Sequence, residues 1–212
     1  MILTDGAVSG EQTATQTREF FVRRILTAVT AASLAALLAS CATKPRQVVQ
    51  APPAPITQEL PYKWSQGNAP QAHKDMLATF GPLNMRPGEF RWTAQVPDDG
   101  DAKVVIDILT QRFYVYRGAK LVGVSTISSG KKGRETPLGF WAVKIKKKKG
   151  YSRKYDNAPM PFMQMYDEKG IAFHGGPNPG FPASHGCVRL PVKFAERLFG
   201  LTKVGTEVVI EG

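Results

Sequence analysis

The 212 residues carry 28 Lys and Arg against 17 Asp and Glu, a formal net charge of +11, and only two cysteines. The charges of residues 1–40 cancel, so the rest of the chain keeps the whole excess, which suits an anionic surface such as phospholipid heads or wall polymers. No nucleic-acid motif accompanies that charge, so nucleic acid is not an expected partner.

Residues 18–41 read as an export signal. Arg18, Arg23 and Arg24 supply a basic start. Residues 25–38 are almost wholly apolar yet too few to span a bilayer, and Ala39-Ser40-Cys41 ends the segment with small residues. Leu38-Ala39-Ser40-Cys41 resembles the lipobox of bacterial lipoproteins. The resemblance implies cleavage before Cys41 and diacylation of its thiol, hence a membrane anchor of several acyl chains. The competing reading is an ordinary signal peptide with a chance cysteine. Ala42 is not the aspartate that usually marks inner-membrane retention, so the expected location is the outer membrane, facing the periplasm. Residues 1–17 show no apolar periodicity.

Residues 41–61 are Pro-rich and poor in large apolar side chains, an extended tether. Residues 62–101 form an extension of uncertain order. A short helix is expected over 69–80, stopped by Gly81-Pro82, and Trp64, Phe80, Phe90 and Trp92 are candidates for packing on the domain edge. From residue 102 to 212 the pattern sharpens. Strands are predicted over 104–108, 112–117 and 121–127, with hairpin breaks between them. A loop follows over 129–139. Another strand is predicted over 140–146, with Phe140, Ala142 and Lys144 on one face and Trp141, Val143 and Ile145 on the other. Residues 162–166 and 171–174 make one more hairpin. Pro191 opens a short helix over 191–198, and Gly200 is its expected stop. Residues 206–210 close with a strand. Many short strands and one clear helix within about 110 residues give a mainly β domain with a single core. The lysine run over 144–149 reads as a solvated strand end, with contact to anionic lipid or polymer as the sharper alternative.

The chemistry concentrates in Ser184-His185-Gly186-Cys187-Val188-Arg189-Leu190. If Cys41 is lipidated, Cys187 has no partner within the chain, and a leftover exported cysteine is a reactive thiol or a liability. Its pKa is expected to fall near basic groups and free N–H donors. His174 lies upstream across a Gly/Pro-rich loop, residues 175–182, that can fold it back toward Cys187. A neutral imidazole there takes the thiol proton and later protonates a leaving amine. The Gly175 carbonyl is a candidate to accept the second ring N–H. The backbone N–H groups of Gly186 and Cys187, with His185 as a further donor, suit an oxyanion hole. Ser184 and His185 are supporting groups, and His174 is preferred over His185 as base. The competing reading of His174 is a core histidine with satisfied bonds. Arg189 suits either a substrate carboxylate or a structural bond to loop carbonyls. His174, His185 and Cys187 also make a three-ligand zinc set on paper. No water-activating carboxylate accompanies them, so no metal or cofactor is expected.

His174-Gly175 followed by the Ser184 to Leu190 stretch resembles the signature of the YkuD-type L,D-transpeptidases. Thr136-Pro137-Leu138-Gly139 and residues 204–210 resemble two further elements of that family. The likeness covers residues 103–212. It implies a mainly β, YkuD-like fold with one short helix after the catalytic cysteine, acting on peptidoglycan stem peptides. In that family the cysteine attacks the carbonyl of the third stem residue, releases terminal D-alanine, and passes the thioester to an amine. The roles fall on Cys187 as nucleophile, His174 as base and Gly175 as the carbonyl that orients it. Gly186 and Cys187 become the oxyanion donors. The acceptor is open: another stem, a lysine of a wall-anchored protein, or water, which would make a carboxypeptidase. Gly175-Gly176 and a short 175–183 loop depart from the usual pattern and bear on acceptor choice. A catalytically idle wall-binding lipoprotein is the alternative of a different class.

Overall fold

The computed structural model describes residues 61–212. The signal segment, Cys41 and the tether up to residue 60 lie outside the described residues.

Among the described residues ten strands form two sheets. In chain order they are β1 Phe90–Trp92, β2 Ala102–Asp107, β3 Arg112–Arg117, β4 Lys120–Thr126, β5 Gly139–Ala142, β6 Ile145–Tyr151, β7 Pro159–Met165, β8 Ala172–Gly175, β9 Val188–Leu190 and β10 Glu207–Glu211. The helices among the described residues are α1 Asn68–Phe80 and α2 Val192–Leu201. The first sheet runs β1-β4-β3-β2-β10-β5 and the second β6-β7-β8-β9. Its centre follows from the sequence: β2, β3 and β4 are β-branched and aromatic, joined by tight turns, and pair antiparallel in succession. β10 then inserts parallel to β2, Val208 opposite Val104 and Ile210 opposite Ile106.

Alternation along these strands divides the apolar residues between two faces. Val104, Ile106, Phe113, Val115, Val208 and Ile210 point toward the second sheet. There they meet Tyr166, Phe173, Val188 and Leu190, with Phe194 and Leu198 of α2. Val105, Tyr114, Val124 and Val209 point the other way and are covered by Ala69, Ala72 and Met76 of α1.

The segment expected as an extension of uncertain order is thus part of the domain. Its tie is Glu211, which is fully buried. The carboxylate accepts hydrogen bonds from the backbone N–H groups of Gln66 (2.9 Å), Asn68 (3.1 Å) and Ala69 (2.8 Å), from Ser65 Oγ (2.7 Å) and from Asn68 Nδ2 (3.1 Å). A carboxylate borrowed from the last strand therefore caps α1, whose own N-cap, Gly67, has no side chain to do it. Trp64 and Gly212 exchange backbone hydrogen bonds of 2.9 and 3.1 Å alongside. Phe90 and Trp92 pack against Phe194, with ring centroids 5.5 and 5.3 Å apart.

Three further expectations are corrected. The single strand over 140–146 is two strands in different sheets. Val143 N–H still bonds to Thr206 O at 2.9 Å in the first sheet, while the next residue, Lys144, bonds to Met165 O at 2.7 Å in the second. Gly200 does not stop α2, which runs through it to Leu201. The helix ends where Thr202 returns both its N–H and its hydroxyl to Leu198 O, at 3.0 and 2.8 Å. The lysine run is not uniformly solvated. Lys146 Nζ donates to Phe199 O at 2.7 Å and to Thr202 O, placing a cation on the carbonyl end of α2. Lys144 pairs with Glu168 at 3.0 Å.

Candidate active site

β8 and β9 lie side by side and parallel, with Phe173 opposite Val188 and His174 opposite Arg189. Phe173, Val188 and Leu190 face the core. The alternate positions, His174 and Arg189, together with Cys187 just ahead of β9, line a cleft of 1220 Å³. The Gly/Pro-rich loop therefore acts as a crossover between neighbouring parallel strands, and the strand register sets His174 opposite Arg189, on the same face as Cys187 and diagonal to it. Gly175 leaves room for this packing. A Cβ there would lie 3.2 Å from Val192 and 3.3 Å from Pro161, so its glycine serves the approach of α2 to β8.

His174 is buried, and its Nδ1 lies 2.9 Å from Gly175 O. The carbonyl can only accept, so Nδ1 carries the proton and Nε2 keeps its lone pair. Burial pushes the His174 pKa below the ordinary imidazole value; the Gly175 bond opposes this, and Arg189 adds to it. The ring is neutral at neutral pH. Cys187 behaves in the opposite sense to the expectation for an activated thiol. Burial raises its pKa, the Ala172 N–H and the Arg189 charge pull it down, and Asp167 pushes it up; the net shift is upward. Among the described residues Cys187 Sγ makes no hydrogen bond to either histidine. The resting site is thus a thiol and a neutral imidazole in one cleft, not an ion pair. Unliganded sites often tighten such bonds only when substrate arrives.

This assigns an expected pH profile. Alkylation of Cys187 by iodoacetamide should be slow at pH 7 and rise about tenfold per pH unit into the alkaline range, because the thiolate fraction sets the rate. A plateau between pH 5 and 8 would show a preformed thiolate–imidazolium pair instead.

The turn before Cys187 is held by side chains. Ser184 is buried, and its Oγ accepts the Gly186 N–H at 3.1 Å while donating to Cys187 O. Gly186 has φ 119, in the left-handed region, and a Cβ there would lie 3.3 Å from Ile171. The Gly186 N–H, expected as a free oxyanion donor, is therefore committed within the turn. The N–H groups of His185 and Cys187 have no intramolecular acceptor among the described residues and remain available. Thr136 fixes the turn from the other side. Its buried hydroxyl donates to Gly186 O at 2.8 Å and accepts from Gly130 N–H at 2.9 Å. In the sequence Thr136 stands out only as part of the Thr136-Pro137-Leu138-Gly139 motif; its spacing to Gly130 is the available signal.

His185 is placed apart from His174. Its ring is exposed and stacks on Tyr155, centroids 4.4 Å apart and 21° between planes. Tyr155 belongs to the β6–β7 connection, which borders the cleft. Among the described residues no three His, Cys, Asp or Glu side chains converge as a metal-ligand set. Arg189 is half-buried, and its guanidinium has no hydrogen bond or ion pair within the described residues, so the structural bond to loop carbonyls is not made.

The model of the L,D-transpeptidase catalytic domain matches residues 101–210. The chain belongs to the YkuD family. This YkuD domain also resembles solved structures. An L,D-transpeptidase from Mycobacterium tuberculosis H37Rv is 20% identical with a TM-score of 0.50, the match covering 52% of this chain and 57% of that one. One from Stackebrandtia nassauensis is 24% identical with a TM-score of 0.49, covering 56% and 58%. One from Xylanimonas cellulosilytica is 27% identical with a TM-score of 0.47, covering 56% and 64%. The chain spans less than two thirds of the length of these structures. No curated protein matches. The mainly β architecture agrees with the family, with α1 as a second helix beyond the one expected after Cys187.

Proposed function

We propose that this domain is a cysteine-dependent L,D-transpeptidase acting on peptidoglycan stem peptides. One observation carries the reading. The partly buried Cys187 shares a cleft with a neutral His174 whose Nδ1 proton is held by Gly175 O, leaving Nε2 on the adjacent strand to take a proton.

In the first step Sγ bonds to the carbonyl carbon of the third stem residue, and the thiol proton passes to His174 Nε2. The N–H groups of Cys187 and His185 face the developing oxyanion. The C–N bond to terminal D-alanine then breaks, and the imidazolium gives its proton to the leaving nitrogen. An acceptor amine attacks the thioester, His174 takes the amine proton, and the thiolate recovers it as it leaves. Acceptors of the required chemistry are the side-chain amine of a second stem and the lysine of a wall-anchored protein. Water in the same position gives a carboxypeptidase.

Purified protein incubated with disaccharide-tetrapeptide tests this by product mass. Crosslinked dimer supports transpeptidation, and a D-alanine-trimmed monomer assigns hydrolysis. No change with folded, reduced protein defeats the enzymatic reading in favour of a wall-binding role.

The Leu38 to Cys41 motif supports an exported protein, lipid-anchored through Cys41, in the outer membrane and facing the periplasm. Cys41→Ser should remove the acyl mass from the mature protein; an unchanged mass would rule out that anchor.

A further inference from the structure

The charges around the cleft are unevenly satisfied. Six cationic side chains line it: Arg134, Lys147, Arg153, Lys154, Lys169 and Arg189. None has an ion pair or a side-chain hydrogen bond to an acceptor among the described residues, whose four ion pairs all lie elsewhere. The two acids in the same wall are already engaged. Glu135 accepts the Gly133 N–H at 2.7 Å, which helps hold its pKa below the ordinary carboxylate value, and Asp167 accepts the Lys169 N–H. The cleft therefore presents a net positive charge, six cations against two carboxylates that are bonded to backbone N–H groups and not to the cations.

Two of these cations come from different elements, Arg189 near the nucleophile and Arg134 near the turn that precedes it. Arg189 is two residues past Cys187 on β9, and its charge reaches both His174 and Cys187. Arg134 comes from the loop before Thr136, and its backbone lies against the Gly186 turn. Both arginines, with Lys131, act electrostatically on His185 in the same wall. Guanidinium groups favour planar, bidentate carboxylate partners.

We propose that the cleft selects donor peptides carrying free carboxylates beside the scissile carbonyl, received by Arg134 and Arg189, and discriminates against the same peptides capped as carboxamides. This rests on the transpeptidase reading and deepens it. Five of the six cations are exposed, yet all six line one concave wall around Cys187, which a peptide can enter and a flat anionic membrane cannot follow.

Two synthetic tetrapeptide donors, identical except that one carries free side-chain and α-carboxylates where the other carries carboxamides, are compared by kcat/KM and by the thioester mass on intact protein. The free-acid donor is expected to be favoured about tenfold or more, since a lost charged partner costs at least that in a partly enclosed site. Raising salt from 50 to 500 mM should narrow the ratio. Arg134→Gln should shrink it toward unity chiefly through KM, and Arg134→Lys should restore part of it. Arg189→Gln is run in parallel with circular dichroism to verify folding. Equal kcat/KM for the two donors overturns the proposal while leaving the transpeptidase reading intact. So does equal use combined with binding to vesicles rich in anionic lipid that Arg134→Gln weakens, which would assign the cations to a membrane surface. No thioester from either donor on folded protein overturns both.

Discussion

Replacing Cys187 by alanine is expected to lower turnover of a tetrapeptide donor by about 10⁴-fold or more, because it removes the only thiol among the described residues from the cleft that also holds the neutral imidazole. The fold should survive. Cys187 packs at the margin of a small cluster with Met160, Met163 and Ala172, away from the main core, so losing one sulfur costs about 1 kcal/mol. Intact-protein mass spectrometry with a slow acylating substrate gives the direct readout: an adduct on wild type and none on the variant. Turnover retained by Cys187→Ala would end the assignment of the nucleophile. The histidines then separate by role. His174→Ala removes the neutral base and should cost about 10²–10⁴ in kcat. His185→Ala removes a ring that stacks on Tyr155 outside the core of the site, and should cost far less while loosening the Tyr155 loop. The reverse order of effects would move the base to His185.

Glu211→Ala should produce the largest loss of stability of any single change outside the main core. The carboxylate accepts five hydrogen bonds, three of them from backbone N–H groups at the start of α1. Leaving those donors without partners in a buried setting costs on the order of 3–5 kcal/mol. At roughly 2–4 °C per kcal/mol for a domain of this size, the melting temperature should fall by about 10 °C. Glu211→Gln keeps one acceptor oxygen but loses the charge, and should fall between wild type and alanine. Burial raises the Glu211 pKa, but the hydrogen bonds from Ala69, Ser65, Gln66 and Asn68 outweigh it, and the net shift is downward. A carboxylate with a depressed folded pKa contributes stability above its unfolded value and loses it as pH falls through the folded value. Wild type should therefore lose this part of its stability only below the ordinary carboxylate range, and Glu211→Gln should show no such step. Thermal melts at pH 7 and across the acid range check both points; equal melting temperatures for wild type and alanine would show that α1 is not held by this residue.

The central strands were legible because their signal is local. β3 spans the predicted residues, and β2 and β4 differ from prediction by one or two at their ends. The cysteine and histidine stood out because a lone exported thiol with nearby imidazoles is a rare pattern. What the sequence hid depends on contacts far apart in the chain. The 140–146 stretch alternates like one strand, yet neighbouring residues Val143 and Lys144 bond to different sheets, a choice made by Thr206 and Met165. Gly200 looks like a helix stop, but Lys146 and Thr202 complete the last turn beyond it. The state of the thiol is hidden from the sequence for the same reason. Nearby cations in the sequence argued for a depressed pKa, whereas burial, which sequence does not display, dominates. The Gly186 N–H looked free until Ser184, two residues earlier, was seen to claim it.

The placement of Glu211 has a practical consequence for anyone cutting this protein down. A fragment starting at residue 102 would match the extent of the recognisable motif. It would also strip the cover from Val105, Tyr114, Val124 and Val209 and leave a naked acid at the rim of a greasy sheet. Such a piece should self-associate when purified, whereas one that begins at Tyr62 keeps the lid on its own back wall.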